Sequence, residues 1–186
     1  MTTLIKGKKI NLRVVVQADA ESITKYARNP AVSRMTHMPY PYKLEHAREF
    51  IRRYQRVRRK GKMYMFGIEQ KETGKIIGGI SLGNVNAKQH RAELGFWLGK
   101  PFWGQGIVSE AVAIMVEFGF KRLRLRRILA MVFHHNPASM KVLEKNGFVR
   151  EGVLRQWMHQ RGTLIDLHMF GILKEDYRTA QKRKRK

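Results

Sequence analysis

Gly104, Gly106 and Ser109 are the residues whose type and spacing most plainly suit chemistry. They close the run Leu94-Gly95-Phe96-Trp97-Leu98-Gly99-Lys100-Pro101-Phe102-Trp103-Gly104-Gln105-Gly106-Ile107-Val108-Ser109-Glu110-Ala111. Two glycines one residue apart allow a tight loop whose backbone can approach a ligand closely. Upstream, Ala92, Leu94, Phe96 and Leu98 alternate with Glu93, Gly95 and Trp97, the pattern of a strand with two different faces. Pro101 ends that strand. Downstream, Ile107, Ala111, Ile114, Met115 and Phe118 recur at helical spacing. A strand, a glycine loop and a helix bring free backbone N–H groups and the positive end of a helix to one point. An anion, and a phosphate in particular, is held well there. Glycine also serves such turns for shape alone, so both readings stand on this stretch.

A second block lies downstream: Asn136-Pro137-Ala138-Ser139, then Leu143-Glu144-Lys145-Asn146-Gly147-Phe148, then Glu151-Gly152. Asn136 is placed to cap a helix with Pro137 in its first turn, and Gly147 to end it. Together the two blocks resemble motifs A and B of the GCN5-related N-acetyltransferase (GNAT) superfamily, over about Ile10 to Tyr177. Motif A of that superfamily reads Gln/Arg, two residues, Gly, one residue, Gly/Ala. Here Trp103 stands at the first position, Gly106 at the central glycine and Val108 at the last. Trp at the first position, with Glu110-Ala111 after Ser109, is similar to the branch that acetylates ribosomal-protein N termini, the RimJ/RimL type.

The resemblance implies an α/β fold: one acyl-CoA N-acyltransferase domain, with a mixed central sheet of about six to seven strands splayed after the fourth and about four helices. It places the domain at residues 1–177 and leaves 178–186 as a basic tail. It implies acetyl-CoA as cosubstrate and no metal. Phe96, Trp97 and Leu98 would offer main-chain groups to the pantetheine arm. Trp103, Gly104, Gln105, Gly106, Ile107, Val108 and Ser109 would hold the pyrophosphate, with Asn136 and Ser139 as further coenzyme contacts. Lys141 or Lys145 would meet the outer phosphate or lie solvated on their helix.

Direct attack of an amine on a thioester needs a held thioester, a neutral amine and a proton for the leaving thiolate. Glu93 resembles the strand glutamate that serves as base elsewhere in the superfamily; the alternative is an ion pair with a neighbour such as Arg91. Many members carry a tyrosine acid where this chain has Leu143. Ser139 then substitutes as the acid, or else serves the free N–H groups of its own helix. The glutamate proposed as base in the ribosomal-protein branch corresponds to Met158, so that role does not carry over. An α-amine, with a pKa near ~8 against about 10.4 for lysine, needs less help to lose its proton.

The elements that must position these groups read in order. Ile10, Leu12, Val14 and Val16 alternate as a first strand, and Asp19–Arg28 is a short helix stopped by Asn29-Pro30. The loop Met35–Tyr42 carries Pro39, Pro41 and apolar side chains that either line the acceptor side or cover core. Leu44 to Val57 is a second helix with a basic outer face, and Met63–Gln70 and Lys75–Leu82 form a hairpin. Gly78-Gly79 suggests a bulge or a close neighbour. Arg127–Phe133, Phe148–Met158 and Thr163–Leu173 are the remaining strands, and Glu175 onward reads as a frayed tail.

Composition bounds the rest. The 186 residues suit one domain, and 43% apolar content is ordinary. No apolar run is long enough to span a bilayer, and Met1–Lys9 lacks a signal core, so a cytoplasmic protein with no membrane partner is expected. The absence of cysteine excludes disulfides, thiolate metal sites and an acetyl-cysteine intermediate. The seven histidines have no metal spacing; His134 and His135 are adjacent and point oppositely.

A net charge of +24 concentrates anions. Its clusters are Arg48–Lys62, Lys121–Arg127 and Lys182–Lys186, read either as solvated faces or as contacts to ribosomal RNA. The function expected is acetyl transfer to a primary amine, with the N terminus of a ribosomal or RNA-associated protein as acceptor. The alternatives are a small-amine acetyltransferase and an RNA-binding member that has lost catalysis. The oligomeric state is left open, a homo-oligomer included.

Overall fold

The computed structural model describes residues 3–183. The strands are β1 (Leu4–Lys6), β2 (Ile10–Arg13), β3 (Tyr64–Gln70), β4 (Ile76–Asn86), β5 (Arg91–Leu98), β6 (Arg127–Phe133), β7 (Val149–Gln160) and β8 (Thr163–Leu173). The helices are α1 (Ala20–Ala27), α2 (Pro30–Arg34), α3 (Leu44–Arg59), α4 (Ile107–Lys121), α5 (Pro137–Lys145) and α6 (Lys174–Arg183). The strands form one eight-stranded sheet in the order β1-β2-β3-β4-β5-β6-β8-β7. The β5–β6 pair is parallel and the other pairs are antiparallel.

The sheet buries both faces. On one, Ala92, Leu94 and Leu98 of β5 and Ile128 and Ala130 of β6 pack with Ala111, Val112 and Met115 of α4. On the other, Ile23 and Ala27 of α1 and Ala47, Ile51 and Tyr54 of α3 pack with Met65 and Ile76, and Trp97 leans against them. Alternating side chains on β5 therefore serve opposite layers, as a period of two requires. Tyr54 locks α3 to the sheet, since its hydroxyl donates to the Met65 carbonyl at 2.5 Å and accepts from the Met65 amide at 2.9 Å.

The feature that matters most is where pairing stops. β5 and β6 pair only at Arg91↔Arg127, Ala92↔Ile128 and Glu93↔Leu129. Beyond Glu93 the two strands part, while β6 stays paired with β8 as far as Phe133. Each strand then runs into a helix, β5 into α4 and β6 into α5. The opening thus lies at the carboxyl ends of two parallel strands, flanked by two helix N-termini, a recurrent ligand-binding place in α/β sheets.

The splay falls after the expected chain segment, but it follows the fifth strand, because the short β1 adds an edge. Asn29-Pro30 stops α1 and also begins α2: the Asn29 Oδ1 accepts from the Ala31 amide at 2.9 Å. Proline at the first helical position lacks only an N–H that would be unpaired anyway. The expected frayed tail from Glu175 is instead helix α6, running through the boundary expected at Tyr177. The Asp176 Oδ2 accepts from the Leu173 amide at 3.1 Å, and the Tyr177 ring packs on Phe120 at 5.3 Å. The end of the basic cluster, 184–186, lies outside the described residues. Gly78 and Gly79 have the close neighbour their sequence suggested. A Cβ at Gly79 would stand 2.6 Å from the Trp97 indole nitrogen, and one at Gly78 equally near the Trp97 carbonyl.

Candidate functional site

The loop between β5 and α4 is built by left-handed glycines. Gly104 and Gly106 have φ of 77° and 76°, and Gly106 is the N-cap of α4 without a capping side chain. The Trp103 amide donates to the Lys100 carbonyl at 3.2 Å. From Gly104 to Ser109, no backbone amide has an acceptor among the described residues. Six consecutive donors at the positive end of a 15-residue helix form a cradle for an anion. Trp103, at the motif's Gln/Arg position, secures the loop: its indole N–H donates to the Leu98 carbonyl at 2.8 Å. Val108 packs against the core on the α4 side. The Ser109 hydroxyl accepts from the Asn146 side-chain amide at 3.1 Å, which joins the start of α4 to the end of α5.

The sequence did not reveal who supports this loop. Glu110 in the first turn of α4 accepts hydrogen bonds from the Lys8 and Lys9 amides in the β1–β2 turn. The Lys9 ammonium in turn donates to the Gln105 carbonyl at 2.9 Å. A carboxylate in the first helical turn is thereby engaged elsewhere, and a cation stands beside the open amides.

Along the opening, Phe96, Trp97 and Leu98 pair on one edge with Ile80, Gly79 and Gly78 of β4. Their other edge faces β6 and carries no strand, so it can receive an extended amide-bearing arm. The Leu98 carbonyl already accepts the Trp103 indole N–H. Across the opening, Asn136 is buried and caps α5, its Oδ1 accepting from the Ser139 amide at 3.1 Å. With that amide served, the half-buried Ser139 hydroxyl makes no hydrogen bond among the described residues. Leu143, where the family tyrosine would stand, is fully buried in the core, and Lys141 and Lys145 are exposed.

The α3 face of the opening holds Glu93. Its Oε2 accepts from the Asn84 side-chain amide at 2.9 Å, and among the described residues it forms no ion pair, with Arg91 or any other cation. Glu93 and Leu129, the last paired rung, floor a groove of about 1130 Å³ walled by Phe50, Arg53, Tyr54 and Val57 of α3. A smaller groove of about 420 Å³ lies between the Ser33–Tyr40 segment and Met158–Arg161.

The loop that sequence assigned either to the acceptor side or to core buries some of its side chains and exposes others. Tyr42 is buried, and burial pushes its phenol up to about 12. Tyr40 is exposed beneath the Arg161 guanidinium, 4.6 Å from its ring. His37 went unnoticed in sequence, where nothing but its place in this loop marked it. Its ring packs edge-on against Phe133 of β6 at 4.9 Å, on a residue that stays exposed overall. Burial lowers the imidazole pKa, and the Glu93 carboxylate pulls it back up, so the two groups share one electrostatic environment. His135 turns away to the Arg34 carbonyl at 3.2 Å. Among the described residues no cluster of side chains could hold a metal ion, and no helix is long and apolar enough to cross a membrane.

A row of open amides, an unpaired strand edge and a carboxylate thus stand together at the fork of two parallel strands. Residues 9–149 match the acetyltransferase (GNAT) domain family, and the chain belongs to it. It is an N-acetyltransferase of the GNAT fold, a family that uses acetyl-CoA. The chain is 34% identical over 170 residues to the uncharacterized N-acetyltransferase p20 of Bacillus licheniformis, covering 91% of this chain and 96% of that protein. It is 31% identical over 109 residues to a ribosomal-protein-serine acetyltransferase of Escherichia coli, 59% of each chain. Among solved structures, Mycobacterium smegmatis RimJ in complex with CoA-disulfide superposes with a TM-score of 0.86 at 25% identity, covering 94% of this chain and 88% of that one.

Proposed function

We propose that this chain acetylates the N-terminal α-amine of a protein, a ribosomal or RNA-associated one, in a ternary complex with acetyl-CoA. The observation that carries the reading is the row of unengaged amides at Gly104–Ser109, set beside a strand edge that leads to Glu93. The loop Trp103–Ser109 would hold the pyrophosphate, and Phe96, Trp97 and Leu98 the amide-bearing arm. Asn136 and Ser139 would contact the coenzyme across the opening. Acetyl-CoA supplies an activated thioester. Glu93 takes the amine's proton, directly or through water, and the free Ser139 hydroxyl gives one to the departing thiolate. Glu93 suits the base because Asn84 orients it while no cation among the described residues forms an ion pair with it. The acceptor class draws on the ribosomal-protein-serine acetyltransferase among the relatives and on the cationic surface. Exposed Arg48, Arg52 and Arg56 on α3 would contact ribosomal RNA near the acceptor.

The test is incubation with acetyl-CoA and a panel of ribosomal proteins, peptides and free amines, followed by mass spectrometry. Acetylation at a protein N terminus is expected. Acetylation confined to small amines, or coenzyme binding with no acceptor modified, overturns the proposal.

A further inference from the structure

We propose that the groove over Glu93 selects acceptors in which acidic side chains closely follow the reacting amine. This rests on the acetyltransferase reading above and names the acceptor's chemistry. The charged residues lining the groove are Arg53, Lys60, Lys62, Lys88 and Arg91 against Glu93 alone. None of the five cations has a side-chain hydrogen bond or ion pair among the described residues, and all five are exposed to the groove's solvent. Glu93, by contrast, is half-buried at the floor and held by Asn84. Charge is therefore segregated: one carboxylate where the amine must lose its proton, and uncompensated cations along the approach. Such a wall draws carboxylates and repels cations.

Size and chemistry narrow the occupant to a peptide. The groove's roughly 1130 Å³ exceeds the upper end of the usual range for small-molecule pockets, about 1,000 Å³. Polyamines would face five like charges. A nucleic acid would satisfy the cations, but it brings no aliphatic amine to the floor, where Glu93 would repel its phosphates. Phe50 and Val57 add apolar wall for peptide side chains.

The experiment compares two free peptides with the same first two residues, one continuing with Asp and Glu, the other with Lys, and their Nα-acetylated forms. Release of CoA gives kcat/KM for the free pair, and titration calorimetry gives binding of the acetylated pair without turnover. The wild-type protein is set beside Arg53→Glu/Lys62→Glu and beside Arg178→Glu/Lys182→Glu, an equal charge change on exposed positions of α6 against the opposite face of the sheet. At least a tenfold preference in kcat/KM for the acidic peptide is expected, expressed in KM. It should shrink or reverse in the groove variant at Arg53 and Lys62 and persist in the α6 variant. Equal use of both peptides, or equal loss of preference in both variants, overturns the inference and leaves N-terminal acetylation standing. If neither peptide is turned over, the function proposed above falls. The acetylated pair then decides this inference alone: a preference for the acidic form that depends on Arg53 and Lys62 supports it, and no preference overturns it.

Discussion

Replacing Gly106 with alanine separates the cradle's chemistry from its backbone strain. With φ of 76° the position is left-handed, and an added Cβ would meet nothing nearer than the Lys9 ammonium at 3.8 Å. Sterics are therefore mild, and the cost is conformational, about 1–2 kcal/mol for an L-residue. Gly74 and Gly162, with φ of 66° and 82° and nothing within 4 Å of an added Cβ, lie in other turns and should bear the same cost. For a chain of this length 1 kcal/mol is worth roughly 2–4 °C, so all three variants should melt about 2–8 °C lower. Only at Gly106 does relief of the strain turn the peptide groups that present the Gly106 and Ile107 amides. Losing one hydrogen bond to a charged phosphate is worth about 1.5–3 kcal/mol, or roughly 10- to 150-fold in affinity. Titration calorimetry with CoA, beside thermal melts, measures both quantities. If Gly106→Ala binds CoA as the unaltered chain does, while melting like the two controls, the amides of this loop do not hold the coenzyme.

Other expectations concern catalysis, packing and acid. Glu93→Gln and Ser139→Ala should each lower kcat by about 10²-fold or more while CoA affinity stays within about twofold, read by steady-state kinetics and calorimetry. Arg13→Ala should cost about 3 kcal/mol, or roughly 6–12 °C in melting temperature, and Arg13→Lys should recover little of it. Arg13 grips Asp19 with two nitrogens at 2.7 and 2.8 Å and Glu69 with a third, and Asp19, on whose hydrogen bond its raised pKa chiefly depends, is nearly buried. His37 and His168 are both held below the ordinary histidine value of 6.5, chiefly by burial. Each then binds fewer protons folded than unfolded, so stability is complete above 6.5 and falls as the pH drops through the lowered values. Denaturant titrations from about pH 7.5 to pH 5 should show that decline, and His37→Gln/His168→Gln should flatten it.

The parts legible in sequence were those whose signals are local. The change of period across Pro101, with two glycines between, fixes β5, the loop and α4. Asn136, Pro137 and Gly147 bracket α5 in the same way. What escaped depended on distant partners. β1 is three residues long and earns its place by pairing with β2. α6 has little apolar periodicity, and its helix depends on Asp176 at one end and Phe120 beneath Tyr177. Glu93 was placed on its strand face, but Asn84, its orienting partner, lies on the neighbouring strand β4, at a left-handed irregularity in the pairing. His37 gained meaning only when folding set it against Phe133.

The bond from Glu110 to the β1–β2 turn bears on how this protein is handled. A carboxylate one turn into a helix is drawn toward the same positive end that attracts phosphate. The Lys8 and Lys9 amides engage the Glu110 carboxylate instead. Deleting residues 1–9, or splicing a tag close to them, would free a resident anion to compete with the coenzyme. Shortened versions of the chain should therefore need more acetyl-CoA to reach half-saturation, even where their sheet is intact.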